Sequence, residues 1–291
     1  MSKCCDNFDP NYLLWNEVPY AGEEFPPTNP EDPYSDSWPM YYYQRCGSKF
    51  EVKQTGELVY FTIKHPNYID WGGSELEAVL ETANHLDEDM KKIAKYWGTG
   101  VATKQWLPVL DILVDTYGVT APYAARLESA VLAAANDAFI ITWYYKFLWL
   151  VARPDQYDQE LATCLCTPRH PTYPSGHAAV AGCVANMLKY FFPGEAAKLD
   201  ELAKQCALSR LYALVHFPID NDEGLKLGYQ VADHIIPILA SQRDSTGKPI
   251  DVPYTDNLDA ALPPFPPEYD QVIPFDFPDN CTSLTRPDCC N

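Results

Sequence analysis

His170-Pro171-Thr172-Tyr173-Pro174-Ser175-Gly176-His177 is the stretch on which both the fold and the chemistry turn. Pro174 fixes its own φ and biases Tyr173 away from helix. Ser175 is a good N-cap, and Gly176 lets the backbone approach a ligand closely. The small apolar run Ala178-Ala179-Val180-Ala181-Gly182 follows at once and predicts a helix from Ala178 to Phe192, stopped by Pro193-Gly194. The loop therefore carries a hydroxyl, free backbone N–H groups and an imidazole to a helix N-terminus. Such an end attracts anions, and here it has a titratable group beside it. The plainer reading is a capped turn with an incidental histidine.

Outward from this loop the pattern is helical. Ser74-Glu75-Leu76-Glu77 has the serine and early acids of a helix start. Apolar residues then recur at helical spacing from Leu76 to Trp97, and Gly98 ends that helix. A second helix runs from Gln105 to Tyr117. A third, Ala121 to Val151, is nearly all apolar in its middle, which predicts a buried central helix. After the loop come helices Ala178 to Phe192, Glu195 to Val215, and about Asp222 to Gln242. Residues 1–73 hold seven prolines before position 40 and many aromatics, so they read as an irregular arm packed on the body, with a short hairpin within Glu51–His65. Residues 244–291 form a second Pro-rich tail, with eight prolines from Pro253 onward. The expectation is an all-α bundle, residues 74–243, carrying two irregular arms, 1–73 and 244–291.

The 291 residues are enough for a real core, and 47% are hydrophobic. No run of about 18 apolar residues marks a transmembrane span, and the N-terminus lacks the apolar core of a signal peptide. The chain reads as soluble, with no cellular address assigned. A net charge of −19 argues against nucleic acid as a partner. Any anion must be drawn in by a local positive cluster against the global field. Ten cysteines include terminal Cys4, Cys5, Cys281, Cys289 and Cys290, which could crosslink chains or join the two tails and so suit an oxidising or surface setting. No CxxC pair occurs, so no structural zinc is expected.

Lys146 and Arg153 are seven residues apart, two helical turns, and hence share one face near the end of the third helix. A buried helix does not place two cations on one face without an anion to meet them. That anion is either a structural carboxylate, Asp155 or Asp158, or a ligand. Arg210 interrupts the apolar stretch Leu208 to Val215, followed by His216 and Asp220. Pro218 lies between the last two, so helical facing is not guaranteed, but Asp220 is positioned to orient a His216 ring nitrogen. Three cations, a serine hydroxyl, a glycine N–H and two imidazoles match the chemistry of a tetrahedral or trigonal-bipyramidal oxyanion.

Lys146-x6-Arg153-Pro154, Pro174-Ser175-Gly176-His177 and Ser209-Arg210-x5-His216-x3-Asp220 resemble the three-part signature shared by type 2 phosphatidic-acid phosphatases, class A acid phosphatases and vanadium-dependent haloperoxidases. The resemblance covers roughly residues 75–240 and implies the helical bundle of that superfamily. It implies that Lys146, Arg153 and Arg210 bind the oxyanion's oxygens, with hydrogen bonds from Ser175 and Gly176. His216 becomes the ligand to vanadium or the phosphatase nucleophile, His177 the acid–base group, and Asp220 the residue that orients His216. Tyr96-Trp97, Ala134-Ala135-Asn136-Asp137-Ala138 leading into Trp143, and His170 resemble the soluble bacterial haloperoxidase-like branch. The halide pocket implied is a mixture: His170 is similar to bromoperoxidases and Trp143 to chloroperoxidases, with bromide or iodide ahead of chloride. One position departs. Where haloperoxidases often carry an aspartate bracing the second arginine, this chain has Gly98-Thr99-Gly100, leaving Asp87 or Asp89 as candidates.

The leading expectation is a vanadate-dependent haloperoxidase using hydrogen peroxide and halide, with vanadate as cofactor and neither zinc nor haem. A phosphomonoesterase that binds phosphate through the same residues and forms a phosphohistidine is the alternative. A cysteine-crosslinked coat protein with an idle site is the third. Family members often pair as helical dimers, so a homodimer is also expected.

Overall fold

A computed structural model describes residues 9–274 and 281–289 of the chain. The helical bundle expected from the periodicity is present, with the small sheet confined to the N-terminal arm. That sheet has three antiparallel strands in sequence order, β1 (Tyr43–Cys46), β2 (Lys49–Val52) and β3 (Glu57–Val59). Only β3 and the end of β2 fall inside Glu51–His65, where a hairpin was expected, because the pairing starts earlier, at Tyr43 opposite Val52.

Eight α-helices follow among the described residues: α1 (Leu76–His85), α2 (Glu88–Gly98), α3 (Trp106–Thr116), α4 (Ala121–Trp149), the single turn α5 (Pro154–Tyr157), α6 (Gly176–Phe191), α7 (Ala196–Tyr212) and α8 (Pro218–Ser241). The long first helix expected from Ser74 to Trp97 is two helices. Leu86 leaves the helical region, and Asp87 caps α2 by accepting the Met90 N–H at 2.8 Å. Ahead of α1 a wide turn, Trp71–Glu75, is capped by Asp70, whose carboxylate accepts the Ser74 N–H at 3.2 Å. Further boundaries differ: α4 ends at Trp149 with Leu150 left-handed (φ 53), α7 ends at Tyr212, not Val215, and α8 starts at Pro218, not near Asp222.

The centre of the bundle is α6 more than α4. It packs most extensively on α8, then on α7 and α4, and is buried almost all round. Its contact with α8 is backbone to backbone: a Cβ on Gly228 would sit 2.0 Å from the Ala179 carbonyl oxygen, and one on Gly182 2.5 Å from that of Leu225. These helices can cross so closely only with glycine at both points. α4 is buried over its middle but exposes Leu132 and Leu148. No helix among the described residues is long and apolar enough to cross a membrane.

Both arms lie against the bundle. Buried Asp137 of α4 accepts the backbone N–H groups of Tyr41 and Tyr42, each at 2.7 Å, and so fixes the entry to β1. Leu13 and Trp15 hydrogen-bond backbone groups of Ala152 and Leu150, lacing the first arm to the loop after α4. In the tail, Tyr254 stacks on Phe192 with ring centroids 5.4 Å apart. Cys281 and Cys289 pair within the chain, with Cys166 and Cys164 respectively, so these two do not crosslink chains. Cys4, Cys5 and Cys290 lie outside the described residues.

Candidate active site

The end of α4, the loop 150–175 and the N-termini of α6 and α8 converge on one buried spot. Leu150 turns the chain out of α4, so Val151 to Arg153 runs back beside the loop 170–175, where the Thr172 N–H reaches the Val151 carbonyl at 3.0 Å. The Lys146 ammonium, fully buried, donates to the carbonyls of Pro171 (2.7 Å) and Thr172 (2.8 Å). Arg153, also fully buried, donates from Nε to the His170 carbonyl at 2.9 Å and from Nη1 to the Val215 carbonyl at 2.6 Å. Its Nη2 lies 3.0 Å from His170 Nδ1. No ion pair joins Lys146 or Arg153 to Asp155 or Asp158 among the described residues. Asp155 Oδ2 accepts the Thr167 hydroxyl at 2.6 Å, and Asp158 Oδ1 accepts the Glu160 N–H at 2.9 Å.

Arg210 reaches the spot from the last turn of α7. Its path exists because residue 98 is glycine: a Cβ there would lie 2.3 Å from Arg210 Nη1. Neither Asp87 nor Asp89 braces it. The first caps α2, and the second lies 3.9 Å from Lys92. Arg210 Nε and Nη1 are buried without a partner among the described residues. Ser175 caps α6, and its N–H donates to the Asp220 carbonyl at 2.9 Å. A Cβ on Gly176 would stand 3.2 Å from the Trp143 ring, so glycine there keeps the helix end open toward the lysine.

His216 and Asp220 do meet, despite Pro218. Asp220 sits in the first turn of α8, where its Oδ2 turns back to accept the Phe217 N–H at 2.9 Å. That backward turn brings the same oxygen within 2.8 Å of His216 Nδ1. Thr172, which the sequence reading did not single out, completes the group. Its hydroxyl donates to Asp220 Oδ2 and stands 3.0 Å from His216 Nδ1. The His216 nitrogen left for chemistry is Nε2. His177 is held differently: its ring hydrogen-bonds the Trp97 backbone at the end of α2, and its buried Nε2 has no partner. With Nε2 bare, Nδ1 is the donor to that carbonyl. His170 and Trp143 stand face to tilted face, centroids 4.8 Å apart, and the Trp143 N–H donates to the Glu31 carbonyl at 3.2 Å. All ten residues singled out from the sequence are thus gathered at or beside one spot. Thr172 was inside the quoted stretch, but only the folded contact exposes its role. Gly98 was legible as a helix stop and as part of the stretch that lacks a bracing aspartate, but not as the neighbour of the Arg210 guanidinium.

The electrostatics are lopsided. Burial holds the Lys146 ammonium well below its ordinary value, and Arg153 beside it adds to the effect, against the pull of Asp220. Burial likewise lowers Arg153, and brings Arg210 down to about 10. His170, His177 and His216 are all pushed well below 6.5, by burial first and the neighbouring cations second. Asp220 rises to about 7 through burial, opposed by the Thr172 hydroxyl and Lys146. A desolvated group of cations with unspent donors is costly unless an anion completes it. The free donors on Arg210 are the specific place an oxyanion would fill, and the bare Nε2 of His177 is an unspent acceptor in the same charged cluster. The residues present therefore fit vanadate or phosphate.

Residues 127–243 match the PAP2 superfamily model. The vanadium-dependent bromoperoxidase of Corallina pilulifera is 34% identical over a 97-residue alignment covering 24% of this chain, and that of Corallina officinalis is 33% identical over the same share. The match spans only 16% of the length of either protein. Among solved structures, a bacterial vanadium-dependent iodoperoxidase superposes with a TM-score of 0.51 at 21% identity, covering 56% of this chain and 48% of that one. A bacterial vanadium-dependent chloroperoxidase gives 0.56 at 13% identity, covering 80% of this chain and 65% of that one. These likenesses show a shared helical fold. Residues 127–243, the part of the chain that is similar to the PAP2 superfamily, hold all three motifs quoted from the sequence.

Proposed function

We propose that this chain is a vanadate-dependent haloperoxidase that oxidises bromide or iodide, ahead of chloride, with hydrogen peroxide. The observation that carries the reading is the closure of the site around an imidazole–indole wall. His170 is 8% exposed, Trp143 7% and His216 2%, and so close a shielding from solvent suits peroxide and halide better than the organic part of a phosphate ester. The curated relatives with local sequence similarity are bromoperoxidases, which agrees with this reading.

In this proposal Lys146, Arg153 and Arg210 hold the oxyanion's oxygens, with Ser175 Oγ and the Gly176 N–H. His216 meets its central atom through Nε2, the nitrogen that Asp220 and Thr172 leave free. Vanadate bound there supplies a Lewis acid that polarises peroxide toward the halide. His177 is neutral at pH 7, because burial and the cations oppose its protonation. Its bare Nε2 takes a proton from entering peroxide and returns it to the departing oxygen, so halide, peroxide and one further proton from solvent become hypohalous acid and water. His170 and Trp143 form the wall on which the halide rests, away from bulk water.

A second reading keeps the same residues and makes the chain a phosphomonoesterase. The 2.8 Å contact between His216 Nδ1 and Asp220 favours it, because an oriented imidazole is also a nucleophile for phosphorus. His177, once protonated at Nε2, then gives that proton to the leaving alcohol. The test loads one half of a purified sample with orthovanadate and assays both halves for bromide- and peroxide-dependent dye halogenation and for p-nitrophenyl phosphate hydrolysis. Halogenation only in the loaded half is the expected result. Phosphate release only in the unloaded half, with orthovanadate inhibiting, selects the second reading.

A further inference from the structure

Thr172 ties together groups that come from three separate places in the chain. Its backbone carbonyl holds the Lys146 ammonium at 2.8 Å, and its N–H is pinned to the Val151 carbonyl at 3.0 Å. Its side chain is fully buried and lies between His216 and Asp220. The residue is β-branched, so its χ1 has little freedom and the hydroxyl is held where the backbone puts it.

The proton count around this hydroxyl decides what His216 can be. Asp220 Oδ2 accepts from the Phe217 N–H at 2.9 Å and from the Thr172 hydroxyl. With its hydrogen committed to the carboxylate, Thr172 Oγ1 shows only a lone pair to His216 Nδ1, 3.0 Å away. The other neighbour of Nδ1, Asp220 Oδ2 at 2.8 Å, is likewise an acceptor. Two acceptors converge on one ring nitrogen, so Nδ1 must carry the proton and Nε2 must carry the lone pair. Without the hydroxyl, Asp220 Oδ2 is the one acceptor left at Nδ1 and has lost one of the two donors that fix it, so ring orientation and tautomer are held more loosely.

We infer that Thr172 is a positioning residue that, with Asp220, locks His216 in the Nδ1–H tautomer and points its Nε2 lone pair at the oxyanion. The inference rests on the reading of His216 as the residue that meets the oxyanion's central atom, and it holds for either proposed reaction.

The test uses the full chain as wild type, T172V, T172A and T172S. Valine keeps the shape of threonine and removes only the hydroxyl, and serine restores it. Near-UV circular dichroism establishes which variants keep the native packing, and alanine serves if valine does not. Nitrogen-15 NMR of the histidine rings, without any oxyanion present, reads the tautomer. Calorimetric titration with orthovanadate reads the affinity. The expected result is a single Nδ1–H form of His216 in wild type and T172S, mixed or Nε2–H forms in the hydroxyl-free variants, and orthovanadate binding about 10–100-fold weaker in those variants alone. An unchanged tautomer, or unchanged affinity in a folded hydroxyl-free variant, overturns the inference. Wild type that binds no orthovanadate sinks the functional reading instead, and the tautomer measurement then decides Thr172 alone.

Discussion

Arg126 and Arg210 both project from long helices, and the protein keeps them in opposite ways. Arg126, on α4, donates from Nε and Nη2 to the two oxygens of Asp251, each at 2.7 Å, and from Nη1 to Gln242 at 2.9 Å. Asp251 also accepts the Tyr190 hydroxyl at 3.0 Å, and the pairing raises the Arg126 pKa. Arg210, on α7, is more deeply buried, yet Nε and Nη1 have no partner and its pKa falls to about 10. Carboxylates are not scarce in a chain with 40 acidic and 21 basic residues. Where only the fold is at stake, a guanidinium receives its carboxylate. Where Gly98 stands beside Arg210, the carboxylate is withheld and the donors stay available to a ligand.

The sharpest way to break that contrast is at His177, whose bare Nε2 is the other unspent group. If the nitrogen moves protons, H177A lowers the halogenation rate by about 10²- to 10⁴-fold while orthovanadate affinity stays close to wild type. A loss confined to affinity makes His177 a binding group only. Next in size is R210M. Loss of charged hydrogen bonds to an oxyanion costs about 1.5–3 kcal/mol, roughly a 10- to 150-fold rise in Kd for orthovanadate. Because the donors are unpaired in the ligand-free protein, the same change leaves the urea midpoint of that state unchanged or raised. A lowered midpoint means that Arg210 serves the fold after all.

What sequence reading captured and what it missed divide along the same line. The helices facing the core announce themselves through apolar spacing, and the three motifs do so through residue type at fixed offsets. The break between α1 and α2 was hidden because apolar spacing runs on from Leu86 to Met90, although Asp87-Glu88-Asp89 is a cap with acids behind it. The His216–Asp220 contact was left open because a proline lay between them. Phe217 and Pro218 begin a helix whose first turn bends Asp220 back, and only the start of α8 settles that. Thr172, Gly98 and the partners of Cys164 and Cys166 depend on which distant segments meet. Nothing within a local window encodes that meeting. Asp137 was noticed as part of Ala134–Ala138, yet its work of gripping the backbone of Tyr41 and Tyr42 belongs to the arm.

R126M tests the other side of the contrast. It strands Asp251, 1% exposed at its side chain, with the Tyr190 hydroxyl in place of a bidentate partner. Arg126 itself is 22% exposed, so solvent softens the loss, and a fall of about 2 kcal/mol in unfolding free energy is expected. Orthovanadate affinity should not move. Denaturant unfolding and calorimetry on the same sample separate the two. A variant that keeps its stability but loses the anion reverses the roles assigned to the two arginines.

The smallest effect expected lies in the pH dependence of the ligand-free protein. Lys146 is held well below its ordinary 10.5 by burial and by Arg153, so between its folded value and 10.5 the unfolded chain binds more protons than the folded one. Stability therefore rises with pH across that window, and falls as pH drops through it. A bound oxyanion reverses the balance, because the anion favours the charged ammonium in the folded state. Urea midpoints measured from pH 7 to pH 10 should climb in wild type, climb less in K146M, and flatten in wild type saturated with orthovanadate. The Asp220 and Asp155 carboxylates, raised to about 7 and about 6, have largely finished titrating by the upper part of this range, which leaves the lysine as the group that K146M isolates. Equal slopes in wild type and K146M, with and without orthovanadate, mean that the two carbonyls holding Nζ already satisfy the ammonium. The charge frustration assigned to this end of the molecule would then reside in Arg210 alone.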